Sequence, residues 1–461
     1  MADSLSPPRF RRNTWAALLR ARAGRLMTTS TVLSLARIAG AGAGFLTQVL
    51  LARTLHASAL GVFFSVTSLA AVVGLVATYG YPLIAPRFVS RYREQGKLGL
   101  IAAFVARARR DATLYAAIAT GAAVGLGLLW PSLSVEERLA TIAAALSIPA
   151  LAALRFNGAL ATALRRFHLA YLPDTCIRPF LLLAGVLLML AAGITLTAPN
   201  VALLLTVIVV GLALTQFFLL RKDLPRVEST VQPEAPVRYV KIWRREARPL
   251  ILVALLTYFF ADVNILIITP LLQSADTAIV GLCLKLALLV GFAVQVTQQL
   301  VVPDLADAHA RKEHGAIRGI LLKALGFPVA VTIAALVFVA LWGETLLSLF
   351  GPEFTGAKVP LLILLGCQLV RAAFGPNVPL LTVIGAQRHN ALVCMAALVV
   401  LALANVILVP VYGVLGAAFA VTIATVFWLG ACSIVLARLS GLRTDAVHLL
   451  GPHRTAPKAH A

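Results

Sequence analysis

The chain has 461 residues, of which 60% are hydrophobic and only 13% charged, and its mean hydropathy is +0.92. A water-facing surface needs more polar residues than this, so an ordinary soluble enzyme is excluded, and so is a disordered chain. The 40 Lys and Arg against 18 Asp and Glu give a formal charge of +22, which points to nucleic acid in a soluble protein and to loop topology in a membrane protein.

Apolar runs of about 20 residues, the length that crosses a bilayer core, recur from Thr28 to Arg438. In chain order the predicted spans 1 to 6 cover 28–51, 59–80, 112–130, 139–161, 177–196 and 199–220. Spans 7 to 12 cover 249–270, 277–301, 320–343, 359–382, 389–410 and 413–437. The pattern predicts an all-α polytopic membrane protein of twelve transmembrane helices. A basic N-terminal segment (1–27) precedes a first six-helix lobe (28–220). A linker loop (221–248), a second six-helix lobe (249–437) and a basic tail (438–461) follow. Between Arg11 and Met27, arginines alternate with Trp15, Leu18 and Leu19, which reads equally as an interfacial helix or as a charged lead-in to span 1.

Sorting the basic residues by loop decides what the charge means. Thirty-one of them fall in the terminal segments and the even-numbered loops, and only Arg53, Arg138 and Lys358 fall in the odd-numbered loops. The positive-inside rule then places both termini in the cytoplasm. Spread over seven short segments rather than gathered in one domain with aromatic stacking residues, these charges exclude a nucleic-acid partner and favour anionic membrane lipids.

The two halves repeat at an offset of about 221 residues. Gly61 and Gly281 open spans 2 and 8, Pro86 and Pro303 follow them, and ALRRFHLA at the end of span 4 compares with GAQRHNAL at the end of span 10. Six spans per half give parallel repeats, two bundles facing each other across a central cavity that can rock between two openings.

Six basic residues are left inside the spans: Arg37, Arg155, Arg178, Lys285, Lys323 and Arg371. Asp262 is the one embedded acid. Arg178 and Lys323 lie near helix ends and are read as snorkelling. By helical rise, Arg37 sits roughly 14 Å and Arg371 about 12 Å above the inner face of a ~30 Å core, with Arg155 lower. Arginines at such depth are costly in lipid. The trio Arg37, Arg155 and Arg371 therefore predicts a cationic pocket in the inner half of the membrane, suited to the oxygens of a pyrophosphate head group. Asp262 and Lys285 fall at one depth on spans 7 and 8. They form either a structural ion pair or a switch in which the carboxylate exchanges its Lys for H⁺ or Na⁺. Gln295, Gln298 and Gln299 line the cavity or bond neighbouring helices.

No Walker-type loop, HExxH or GxSxG is present, and Cys176, Cys283, Cys367, Cys394 and Cys432 have no CxxC spacing. No catalytic residue, metal site or cofactor is expected.

The segment LLARTLHASALGVFFSVTSLAAVVGLVATYGYPLIAPRFVSRYREQGK resembles the opening of polysaccharide-biosynthesis membrane proteins. These are the O-antigen and exopolysaccharide flippases of the multidrug/oligosaccharidyl-lipid/polysaccharide exporter (MOP) superfamily. Ala52, Arg53, Leu55, Gly61, Phe63, Gly80 and Pro82 carry the likeness, and His56 stands where the family has Gly. The second half agrees through ARPLILVALLTYFFADVNILII, VGLCLKLALLV, LFGPEFTGAKVPLLILL and NVILVPVYGVLGAAFAV, in the family's order. The resemblance implies a two-lobed MATE-like fold in the bacterial inner membrane. It also implies alternating-access transfer of an undecaprenyl-diphosphate-linked oligosaccharide, with a polysaccharide polymerase or export machinery as partner. The alternatives are a multidrug or cation antiporter of the same superfamily, disfavoured by six embedded bases against one acid, and a polysaccharide assembly protein without transport activity. A membrane polymerase or ligase would need a large outer loop, which this chain lacks.

Overall fold

The computed structural model describes residues 12–224, 237–311, 314–441 and 444, and every regular element among them is helical. Among the described residues ten helices are long and apolar enough to cross a membrane, and one further pair does so across a bend. Large apolar side chains such as Leu129, Leu188, Ile407 and Val411 lie exposed on the outside, as they do in a protein whose solvent is lipid. The chain is a multi-pass membrane protein.

The first lobe contains α1 (Arg12–Thr54), α2 (Ala57–Ala77), α3 (Tyr81–Glu94) and α4 (Leu98–Leu129). It continues with α5 (Val135–Ala145), α6 (Ile148–Ala163), α7 (Phe167–Leu172), α8 (Arg178–Ala191) and α9 (Ala198–Arg221). The second contains α10 (Val237–Tyr258), α11 (Phe260–Ile268), α12 (Ser274–Ala310), α13 (His314–Ser348), α14 (Lys358–Phe374), α15 (Asn377–Val383) and α16 (Gln387–Ser440). At ~1.5 Å per residue a 54-residue α16 would far exceed the bilayer. It folds back at Gly413, whose φ of 55° leaves the helical region, so its two arms are spans 11 and 12. With α5–α6, α7–α8, α10–α11 and α14–α15 each taken as one broken span, the twelve predicted spans are all present.

Several boundaries differ from the sequence reading. Span 1 continues a helix that begins at Arg12, so residues 12–27 are helical; residues 1–11 lie outside those described. Span 3 begins at Leu98, well before 112. Residues 237–248, expected as linker, are helical, because Trp243 and Ala247 are fully buried against α3 and α4 rather than solvated. Within the tail, Arg438–Ser440 end α16, and beyond Gly441 only Thr444 is described.

The repeat is visible in backbone detail. After α6, the Arg166 N–H donates to the Ala161 carbonyl at 2.8 Å and Arg165 N–H to Thr162 at 3.0 Å. After α15, Ala386 donates to Leu381 at 2.9 Å and Gly385 to Thr382 at 3.2 Å. These are the same Schellman turn at matching places. Its left-handed position is Gly385 (φ 79°) in one lobe but Arg165 (φ 60°) in the other. Substituting Arg165→Gly is therefore expected to raise stability by ~1 kcal/mol, read as a higher unfolding midpoint of the purified protein.

The lobes meet chiefly along α2 and α12. A Cβ at Gly61 would collide with the Ser274 carbonyl oxygen, and one at Gly281 would collide with the Phe64 ring. The paired glycines noticed in the sequence thus serve one interface from opposite sides. Gly61→Val is expected to cost about 3 kcal/mol or more, since a backbone carbonyl cannot give way as a side chain does. Thermal unfolding in detergent checks it, and an unchanged midpoint would show the interface to be slack.

Candidate functional site

Two adjoining cavities lie on the first-lobe side of this interface. The smaller, about 350 Å³, is enclosed by α1, α2, α5, α6, α8 and α9 and is capped by Phe259, Asp262 and Lys285 of the second lobe. The larger, about 690 Å³, lies between α1, the segment around Tyr171–Pro179 and α12. Gly44, Gln48, Pro179 and Lys285 line both. From Lys285 to Gln295 the larger cavity follows α12 for about 15 Å by helical rise. Exposed Tyr258 and Leu289 stand on its rim.

Local backbone irregularities aim the side chains inward. Residues Pro173–Ile177 form a π-helical turn between α7 and α8, a bulge often found where a helix carries function. Its Thr175 carbonyl packs so closely on α1 that Gly40 cannot carry a Cβ. Opposite, α10 and α11 meet at an 82° bend at Phe259. Asp262 is in the first turn of α11, where the helix dipole favours a carboxylate.

The cavities hold four bases, Arg37, Arg155, Arg178 and Lys285, against two acids, Asp174 and Asp262. Arg178 pairs with Asp174 at 2.8 Å. Asp262 accepts a 2.9 Å hydrogen bond from Ser68 Oγ. Each remaining base lies over an aromatic ring. Arg37 is 4.9 Å from the Tyr171 centroid, Arg155 4.2 Å from Phe259 and Lys285 4.7 Å from Phe64. A ring face stabilises a cation without neutralising it. Arg37 Nε, Arg155 Nη1 and Gln48 Oε1 are buried without a hydrogen-bond partner. Leaving such groups unpaired costs about 1–3 kcal/mol each, a cost that an anionic ligand supplying acceptor oxygens removes for the two arginines.

Of the predicted pocket arginines, the structure brings Arg37 and Arg155 to the adjoining cavities. Arg371 lines neither; it lies within the second lobe, 5.9 Å from the Trp428 ring centroid. Asp262 and Lys285 share the smaller cavity, but no ion pair within 4.0 Å joins them. Gln295 lines the larger cavity. Gln298 instead donates to the Gly375 carbonyl at 3.1 Å, and the side chain of Gln299 lies outside those described. Arg178, read as snorkelling, faces the cavity because its helical run starts at Phe167, nearly three turns earlier than expected. That extension also delivers Asp174, which the sequence reading left in a loop.

At the face carrying Arg53 the lobes are tied together. Arg53 donates to the carbonyls of Leu349 at 2.6 Å and Ser348 at 3.4 Å, and the Ala57 N–H donates to Glu353 at 3.3 Å. At the opposite, basic face, buried Asp111 accepts from Tyr81 and Arg244, both at 2.8 Å, and Arg107 at 3.2 Å. That network ties α3 and α4 to α10.

No family model matches the chain, and no curated protein matches its sequence. Its three-dimensional structure does have known counterparts. It is similar to lipid II flippase MurJ in an inward closed conformation, with a TM-score of 0.66 and 14% identity, covering 88% of this chain and 87% of that one. A multidrug resistance MATE family transporter of the MOP superfamily, inward-facing, gives a TM-score of 0.65 and 15% identity, covering 92% and 96%. The chain has the MOP superfamily fold. A further neighbour is a MOP superfamily transporter from Pyrococcus furiosus described by the reverse polarity of its binding pocket, with a TM-score of 0.52, 16% identity and 89% and 93% coverage.

Proposed function

We propose that the protein is a flippase that carries an undecaprenyl-diphosphate-linked oligosaccharide, an O-antigen, capsule or exopolysaccharide unit, across the bacterial inner membrane. The observation that carries this reading is the pair Arg37 and Arg155, each half-buried at a cavity between the lobes with a buried, unpaired guanidinium nitrogen and no ion-paired acid of its own. A diphosphate diester bears one negative charge on each phosphate, and guanidinium groups bind such oxygens in bidentate geometry. The positive-inside rule puts the basic face in the cytoplasm. The larger cavity then reaches from Lys285 toward the cytoplasmic leaflet, where such a lipid is made available, while the Arg53 and Glu353 contacts close the far side. Rocking of the lobes moves the head group through the cavity while the polyprenyl chain stays in lipid. Asp262, held by Ser68 and facing Lys285 across the same space, supplies the H⁺ or Na⁺ coupling group. The basic excess is the reverse of what a carrier of cationic drugs needs.

A strain lacking the gene is expected to lose its surface polysaccharide, to regain it from a plasmid copy and to keep its drug sensitivity. Intact polysaccharide together with increased drug sensitivity would overturn the reading in favour of a multidrug antiporter.

A further inference from the structure

A third cavity, about 380 Å³, lies on the flank of the first lobe between α4, the α5–α6 pair and α9. It shares no lining residue with the two central cavities. Leu151, Leu154 and Arg155 of α6 face the centre, whereas Ala150, Ala153 and Asn157 face this groove. The floor is made of small residues, and exposed Leu146, Val210 and Leu214 form its walls. It therefore faces lipid. From Leu146 to Asn157 it runs about 17 Å by helical rise, close to the depth of one leaflet of a ~30 Å core.

The groove has a polar end. Arg109 of α4 lies over the Phe217 ring at 4.7 Å, and its Nη2 is buried without a hydrogen-bond partner. It lies in the run Arg107–Arg110 at the basic end of α4, next to exposed Arg110. On α9, Leu214 and Phe217 continue at helical spacing to exposed Arg221. An apolar slot one leaflet deep thus ends under two helices that each present a basic residue at head-group depth. Neither the proposed transport nor the contact between the lobes uses it.

We propose that this groove is a binding site for an anionic glycerophospholipid of the basic-side leaflet, its acyl chain lying along Ala150 and Ala153 and its phosphate accepting from Arg109. Charge complementarity selects the occupant: a single unpaired guanidinium beside further bases favours a head group with net negative charge over a zwitterionic one. The bound lipid braces the outer side of α6, whose inner side carries Arg155.

The test is native mass spectrometry of the full chain purified in detergent, offered equal amounts of phosphatidylglycerol and phosphatidylethanolamine with identical acyl chains. The wild-type protein is expected to retain phosphatidylglycerol about fivefold over phosphatidylethanolamine. Arg109→Gln is expected to bring that ratio near unity, and Ala153→Phe, which fills the slot from its lipid-exposed side, to remove both lipids. Undiminished phosphatidylglycerol on either variant overturns the proposal. Displacement of phosphatidylglycerol by undecaprenyl diphosphate from wild-type protein and from Arg37→Ala alike also overturns it, since the groove would then belong to the transported lipid.

Discussion

Replacing Arg155 by alanine is expected to lower transport about a hundredfold at matched expression, while Arg371→Met lowers it less than about twofold. Both side chains are arginines within the membrane, and from sequence they look equivalent. Arg155 faces the cavity with an unpaired Nη1 over the Phe259 ring, at the bend between α10 and α11. A charge-assisted hydrogen bond from such a site to a phosphate oxygen is worth roughly 1.5–3 kcal/mol, and a hundredfold change corresponds to ~2.7 kcal/mol. Arg371 lies beside Trp428 in the second lobe and lines neither cavity, so a long apolar replacement preserves its packing. Arg155→Lys keeps the charge but loses the planar fork, and about a tenfold loss is expected. Initial rates of surface-polysaccharide appearance in a complemented deletion strain, normalised to protein level, check the series. Full transport by Arg155→Ala would remove the cationic pocket from the mechanism.

Asp262→Asn is expected to reduce the rate at least about tenfold and to leave the remainder indifferent to collapse of the proton and sodium gradients. The amide keeps the shape of the carboxylate and its contact with Ser68, so packing is preserved. What changes is the charge facing Lys285 across the cavity, which leaves that cation without its nearest opposite charge. The double variant Asp262→Asn, Lys285→Met is expected to recover protein stability relative to Asp262→Asn alone, because it removes the stranded cation. A double-mutant cycle on unfolding midpoints measures that interaction. Wild-type rate with intact gradient dependence in Asp262→Asn would place the coupling elsewhere.

The twelve spans were legible because hydropathy and loop charge are strong, local signals, and the two-lobe repeat because Gly61 and Gly281 occupy matched places. Embedded charge also pointed to Arg37, Arg155, Asp262 and Lys285, since any ionised side chain in lipid needs a reason. Depth, however, says nothing about azimuth. Arg37 and Arg371 were placed at similar heights, yet one lines a cavity and the other packs inside a lobe. Asp174 was missed because the helix continues through Pro173 by way of a π turn, whereas the sequence suggested a loop there, and for the same reason Arg178 was read as snorkelling at a helix end. Tyr171, Phe259 and Phe64 read as ordinary apolar residues, and only the fold shows that each lies beneath a cation. The linker was placed too far along the chain because the basic residues from Arg238 to Arg248 mask an amphipathic helix. Its Trp243 is buried and donates to Tyr92 at 3.0 Å.

The central claim is that the cavity between the lobes carries an anionic diphosphate head group. Its most direct test is translocation by purified protein in proteoliposomes loaded on one leaflet with a fluorescent polyprenyl-diphosphate-linked oligosaccharide. Delivery to the opposite leaflet is followed by an enzyme that cleaves the glycan only there. The wild-type protein is expected to translocate this lipid, and Arg37→Ala and Arg155→Ala to fail. Translocation at the protein-free rate, or equal rates for the wild type and both variants, would contradict the account.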